Sequence, residues 1–223
     1  MRIVFLCIKI LPAITFRIIE EQINWKNSHT FSIIKDIWRE SMDNVKRCKW
    51  CNLKNKLYID YHDNEWGIQN FDDKYLFEML ILESFQAGLS WECVLNKRES
   101  FREAYDNFDI DKIASYDENK VLELSNNEKI IRNKLKIKAS IKNAKIFKKI
   151  QLEYGSFANY LKSFTKDKTV YENDKTHSNL SDAISKDLQK KGMSFVGTTI
   201  IYSYLQAIGV IYSHEKECFM YKE

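Results

Sequence analysis

Proline and glycine are scarce: the 223 residues include one proline, Pro12, and six glycines. A succession of short strands and tight turns needs more punctuation than that, so the composition predicts an all-α fold. Long membrane-spanning runs are missing too. The apolar start over residues 1–16 is interrupted by Lys9 and Pro12, is too short to cross a bilayer as a helix, and leads into no clear cleavage site. Membrane insertion and secretion are both disfavoured. The five cysteines are an odd number, which speaks for free or metal-bound thiols in a reducing compartment, hence a cytoplasmic protein. No disulfide framework is required, because a chain of this length buries about 70% of its unfolded surface. The net charge of +4 is too small to argue for nucleic acid by itself.

What is present is organised by helical periodicity. Between Asp72 and Asn96, Leu76, Phe77, Met79, Leu80, Leu82, Phe85, Leu89, Val94 and Leu95 form two apolar stripes separated by Gly88. Residues 109–124 read as two short helices. From Lys129 to Lys149 nine basic residues and no acid occur, with Ile130, Ile137, Ile141, Ala144 and Phe147 near helical spacing; one face enters a core and the lysines stay in water, either as a solvated face or as an attractor of phosphate. A further helix runs from Tyr154 to Phe164. Residues 165–179 read as a polar surface loop, with Ser181 or Asp182 capping the next helix. That helix stops near Gly192, a short link follows, and Thr198 opens an apolar helix to about Ile208.

Three features carry chemistry. Cys48, His62, His214 and Cys218 form a two-Cys, two-His set suited to tetrahedral zinc, with His214 and Cys218 on one face if their segment is helical. Cys51 completes a Cys-x-x-Cys pair and competes with Cys48 as a ligand or marks a redox site. Glu83 lies in an otherwise apolar helix, where an unpaired carboxylate is costly; a salt bridge or an exposed face is the structural alternative. The link before Thr198 gives helix, hairpin, helix, able to offer backbone N–H groups and a helix dipole to a phosphate.

The stretch Tyr61-His62-Asp63-Asn64-Glu65-Trp66-Gly67, the motif from Leu82 to Trp91 and Phe195-Val196-Gly197-Thr198-Thr199 together resemble the Tag family of 3-methyladenine DNA glycosylases, from about Arg47 to about Cys218. The resemblance implies a helix-hairpin-helix glycosylase domain over 43–223, a structural zinc on Cys48, His62, His214 and Cys218, and double-stranded DNA containing alkylated adenine as the partner of a monomer. It matches Glu83 to the carboxylate that recognises the flipped base, with a general-base role left open. Trp91 matches the stacking ring, and Tyr58 and Tyr61 the pocket aromatics. The same resemblance implies that Leu89 fills the vacated space and that Gly197 and Thr198 contact the DNA backbone. Phe85 departs from the glutamine of many relatives. The implied reaction is monofunctional hydrolysis of the N-glycosidic bond. Two other readings stay open: a catalytically silent DNA-binding module, and a cytosolic redox or metal protein built on Cys48 and Cys51.

Residues 1–42 precede the family pattern. Trp38-Arg39 can be encoded by a ribosome-binding sequence ahead of Met42, so residues 1–41 are expected to be untranslated, with the protein starting at Met42.

Overall fold

The computed structural model describes residues 45–222, which divide into two units, 45–64 with 214–222 and 65–213. The expected boundary at Met42 lies outside the described residues.

In the first unit, Asn55 starts helix α1 (Lys56–Asn64): its side-chain oxygen accepts from the Leu57 N–H and its carbonyl from those of Tyr58 and Ile59. Tyr58, Tyr61 and His62 are buried on α1. The C-terminal segment docks onto the start of this unit through the Phe219 N–H, which donates to the Lys46 carbonyl at 2.9 Å. His214 and Cys218 are not on a helix. A turn closed by the Cys218 N–H on the Glu215 carbonyl at 2.8 Å sets their spacing instead.

The second unit is built around α2 (Asp73–Gln86), whose N-cap Asp72 accepts from the Tyr75 N–H. Every residue from Leu76 to Phe85 is buried, and a helix without a polar face belongs at the centre of a fold. Short helices α3 (Trp91–Leu95) and α4 (Arg98–Ala104) follow, then a 3-10 turn at Asp106–Phe108, α5 (Ile110–Ser115) and α6 (Glu118–Asn126). Helix α7 (Lys134–Tyr154) is capped by Asn133 and stopped by Gly155 at φ +82°. It packs on α2 through Phe77 and Phe147, and Phe147 stacks at 4.1 Å on Phe157 of α8 (Phe157–Thr165). Burying such rings contributes roughly 1.5–3 kcal/mol each.

The sequence expected an irregular loop over 165–179. Instead Val170–Tyr171 forms strand β1, paired in parallel with β2 (Ile211–Tyr212), Val170 opposite Ile211. Helix α9 (Asn179–Lys190) begins one turn earlier than read: Ser178 is the N-cap and Ser181 the reciprocal member of a capping box. Gly192 follows at φ +101°, and α10 (Thr198–Ala207) completes the unit. The fold is thus helical, as composition implied, with one minimal strand pair among the described residues. No described helix is long and apolar enough to cross a membrane.

Candidate functional site

Four ligand atoms meet in the first unit. Cys48, His62, His214 and Cys218 are all buried, and their nitrogen and sulfur atoms lie within 4.8 Å of one another. Cys218 Sγ is 3.4 Å from His62 Nε2, and the sulfurs of Cys48 and Cys218 are each 3.5 Å from His214 Nδ1. Tetrahedral zinc with Zn–S of 2.3 Å and Zn–N near 2.05 Å would set sulfur and nitrogen about 3.6 Å apart, so the donor set and its spacing fit that ion. Cys51 stands apart, its sulfur 3.7 Å from the Tyr58 carbonyl.

The surroundings orient the ligands. Asp63 Oδ1 is 2.7 Å from His62 Nδ1, which directs the Nε2 lone pair into the cluster. Arg47 holds the same carboxylate in a bidentate grip at 2.7–3.0 Å. Burial is the largest influence on His62 and lowers its pKa, but hydrogen bonds to Asp63 and Cys218 outweigh it and leave the pKa raised. Between the thiols, the hydrogen bond from Cys48 to Cys218 pushes Cys48 up and Cys218 down. The cluster thus favours a thiolate, the form a metal requires.

In the second unit, α2 carries two buried carboxylates with opposite fates. Glu78 accepts from Arg98 Nε at 2.6 Å and Arg102 Nε at 2.8 Å. Glu83 is 3% exposed and its Oε2 has no hydrogen-bond partner among the described residues. Burial alone pushes the Glu83 carboxyl up to about 8. A buried acid left unneutralised is costly to the fold, and its place on α2 makes it a candidate for meeting a group from outside the fold. Downstream, Gly88 takes φ +77° and turns the chain out of α2. Leu89 is 43% exposed on that turn. Ser90 accepts from the Cys93 N–H and starts α3, with the buried Trp91 at its first position. Tyr58 and Tyr61, three residues apart on one face of α1, belong to the first unit.

The link between α9 and α10 is held from the side by α7. Asn143, fully buried, donates to the Ser194 carbonyl and accepts from the Ser194 N–H, both at 2.9 Å. Phe195 takes φ +57°. Gly197, the N-cap of α10, has no side-chain cap, and a Cβ built there meets nothing within 4 Å. With φ at −62° its backbone does not demand glycine, so the open space before the helix N-terminus is what its missing side chain preserves. The Thr198 hydroxyl is taken up by Asp182 and Ser181. Its N–H is the group left for an external ligand.

The basic helix differs from expectation. Lys136 is buried; its ammonium donates to the Phe85 carbonyl at 2.8 Å and the Ala87 carbonyl at 2.6 Å. Lys138 is paired with Glu118, and Lys148 with Asp111. Sequence reasoning missed Lys136 and Asn143, although both interrupt the apolar face. It missed Asp63 as well, whose signal was adjacency to a candidate ligand.

A family model described as methyladenine glycosylase matches residues 50–221. The DNA-3-methyladenine glycosylase 1 of Escherichia coli K12 is 42% identical over 183 residues, 79% of this chain and 97% of that protein. A crystal structure of 3-methyladenine DNA glycosylase I superposes with a TM-score of 0.76 at 42% identity, over 79% of this chain and all of the other. A second, of a variant solved with 3-methyladenine bound, gives 0.75 at 31% identity, over 79% and 98%.

Proposed function

This chain belongs to the methyladenine glycosylase family, and from that membership we propose how its own residues recognise and release a damaged base. The chain is a base-excision glycosylase: it hydrolyses the N-glycosidic bond of 3-methyladenine in alkylated DNA. The observation that carries the residue-level reading is the buried, unneutralised carboxyl of Glu83 on a helix whose other buried acid, Glu78, is held by two arginines.

3-Methyladenine in DNA is a cation, and adenine is not. A base delivered to Glu83 would supply the positive charge that the helix does not, favouring the ionised carboxylate; a neutral base offers no such gain. Trp91 adds an electron-rich ring that attracts the same cation. The role of Tyr58 and Tyr61 in recognition rests on the family motif alone. Because the leaving group is already charged, departure needs little protonation, and the work left for protein groups is binding, orientation and stabilisation of the sugar cation by nearby negative charge. Residues 198–218 hold no aspartate to share that last task. No lysine lies at the hairpin position used for Schiff-base chemistry, which supports release of the base without strand cleavage.

The target base must leave the duplex stack before it can reach Glu83. Double-stranded DNA is the proposed substrate form: the exposed Leu89 would occupy the vacated space, and the link 192–197 would act as the hairpin of a helix-hairpin-helix element. The unfilled space at Gly197 and the uncapped start of α10 support contact with a backbone phosphate there. Zinc on Cys48, His62, His214 and Cys218 is proposed as structural, since four protein ligands leave no position for water. A monomer working in the cytoplasm is consistent with this chemistry.

The test is incubation of the purified protein with methylated duplex DNA and identification of the released bases. Release of 3-methyladenine by the parent, with loss on Glu83→Gln or Trp91→Ala in folded protein, is the expected result. Undiminished release by both variants would sink the pocket assignment. Should the parent release nothing, the silent DNA-binding module takes its place.

A further inference from the structure

Lys136 is a buried ammonium with no carboxylate partner among the described residues, and the chemistry above gives it no task. Its two backbone acceptors, the carbonyls of Phe85 and Ala87, are orphaned at the C-terminus of α2. They flank the exit from that helix, immediately before Gly88 and the exposed Leu89. The same ammonium sits 5.9 Å from the centroid of the Phe195 ring, in the link between α9 and α10. Two helical turns further along α7, Asn143 grips the backbone of Ser194 with two hydrogen bonds. Residues 136 and 143 are seven apart, so they share a face and stand about 10.5 Å from each other along the axis. One rigid helix therefore holds both the turn that presents Leu89 and the segment that leads to Gly197.

We propose that Lys136 is a positioning residue for base extrusion, fixing the Leu89 turn relative to the 192–197 hairpin so that backbone anchoring and filling of the vacated stack occur in register. The inference rests on the proposed roles of Leu89 and the hairpin. An ammonium suits the task because it can satisfy two carbonyls at once and still face a ring; a methionine of similar length can face the ring but has no donor for either carbonyl. Burial lowers the Lys136 pKa, consistent with an ammonium kept inside only by those partners.

A merely structural lysine and a positioning lysine differ in which substrate suffers. Extrusion costs least where the base is already unpaired, so excision of 3-methyladenine should be measured in a fully paired duplex and in the same sequence with the lesion inside an unpaired bubble. Lys136→Met is expected to lose activity on the paired duplex by a factor on the order of ten to a hundred, the size of one charge-assisted hydrogen bond. On the bubble it should retain most of the parent rate, and Lys136→Arg should restore part of the duplex activity. Equal loss on both substrates, or no loss, overturns the inference. Leu89→Ala, run alongside, isolates the underlying reading: a duplex-specific defect in Leu89→Ala without one in Lys136→Met keeps the stack-filling role and overturns the positioning role, whereas no duplex-specific defect in Leu89→Ala removes the stack-filling role and, with it, the register inference that rests on it. If Lys136→Met does not fold, Phe195→Leu cuts the same bridge from the hairpin side; a duplex-specific loss there supports the inference, and unchanged activity on both substrates overturns it.

Discussion

Arg47 and Asp63 form a buried bidentate ion pair, Nη2 to Oδ2 at 2.7 Å with each side chain 5% exposed, and the same carboxylate reaches His62 Nδ1 at 2.7 Å. The chain Arg47, Asp63, His62 thus runs from a permanent charge to a ligand atom. Asp63→Asn keeps an acceptor for the imidazole but leaves Arg47 without its counter-charge. Metal affinity should fall by roughly tenfold to a hundredfold, as for other outer partners of ligating histidines. Competition with a chromophoric chelator measures it, and an unchanged affinity would remove Asp63 from the site.

Loss of the ion should cost stability, because metal binding energy is folding energy where the site exists only in the folded chain. Cys218→Ser is expected to lose stoichiometric zinc and to melt at a lower temperature. Cys51→Ser should keep the metal, since its sulfur faces the Tyr58 carbonyl rather than the cluster. Metal analysis with thermal melts decides between them; retention by Cys218→Ser and loss by Cys51→Ser would reverse the assignment.

Glu83 makes stability depend on pH. Its folded pKa of about 8 lies above the ordinary glutamate value of 4.5, so the folded state binds more protons than the unfolded chain within that window. Stability from this group is fully present below about pH 4.5 and is lost as pH rises through 8. Glu83→Gln removes the titration, and the variant should gain on the parent between those pH values, by up to roughly 4 kcal/mol at the alkaline end. Denaturant titrations at pH 5 and about pH 8.5 measure the difference, and parallel pH profiles for parent and variant would show that the carboxyl is not desolvated.

The same substitution should reduce discrimination for the cationic base by about tenfold to a hundredfold, the worth of one charge-assisted hydrogen bond. Trp91→Ala should cost a similar factor through roughly 1–3 kcal/mol of lost stacking. Competition between methylated and unmethylated adenine for binding and excision reads both.

Two glycines should respond oppositely. Gly209 combines φ +75° with a backbone that crowds it: a Cβ there would strike Ile68 and Gln69, so Gly209→Ala should be markedly destabilising. Gly197→Leu should leave the melting temperature nearly unchanged, because nothing lies within 4 Å of its Cβ, yet weaken binding to DNA of any sequence, since phosphate contacts carry no base information. A Gly197→Leu protein with parental affinity for DNA would separate the hairpin from the DNA surface.

That Cys48, His62, His214 and Cys218 gather into one cluster was legible because their residue types are rare here, with four histidines and five cysteines in the chain. Its geometry was less so: a spacing of four between His214 and Cys218 suits a helix, but a turn delivers the same proximity. The helical elements followed from apolar periodicity, which is strong when a face is buried. The strand Val170–Tyr171 was not legible, since two residues carry no period. Ser178 lost to Ser181 as the expected cap because both belong to one reciprocal box, and composition alone does not say which end leads. Lys136 was hidden for a general reason: a lysine in a cationic helix reads as solvated, and only the position of two unpaired carbonyls from another helix shows otherwise.

The ligand cluster also bears on the order in which the protein is made. Cys218 and His62 are separated by 156 residues, so during synthesis the first two ligands leave the ribosome long before the last two. At about 5–20 residues per second, the interval is on the order of ten to thirty seconds. Throughout it, Cys48 and His62 can supply at most half of the proposed coordination sphere. For the proposed zinc, completion of the sphere would be a late event that ties metal capture to the arrival of the segment carrying His214 and Cys218.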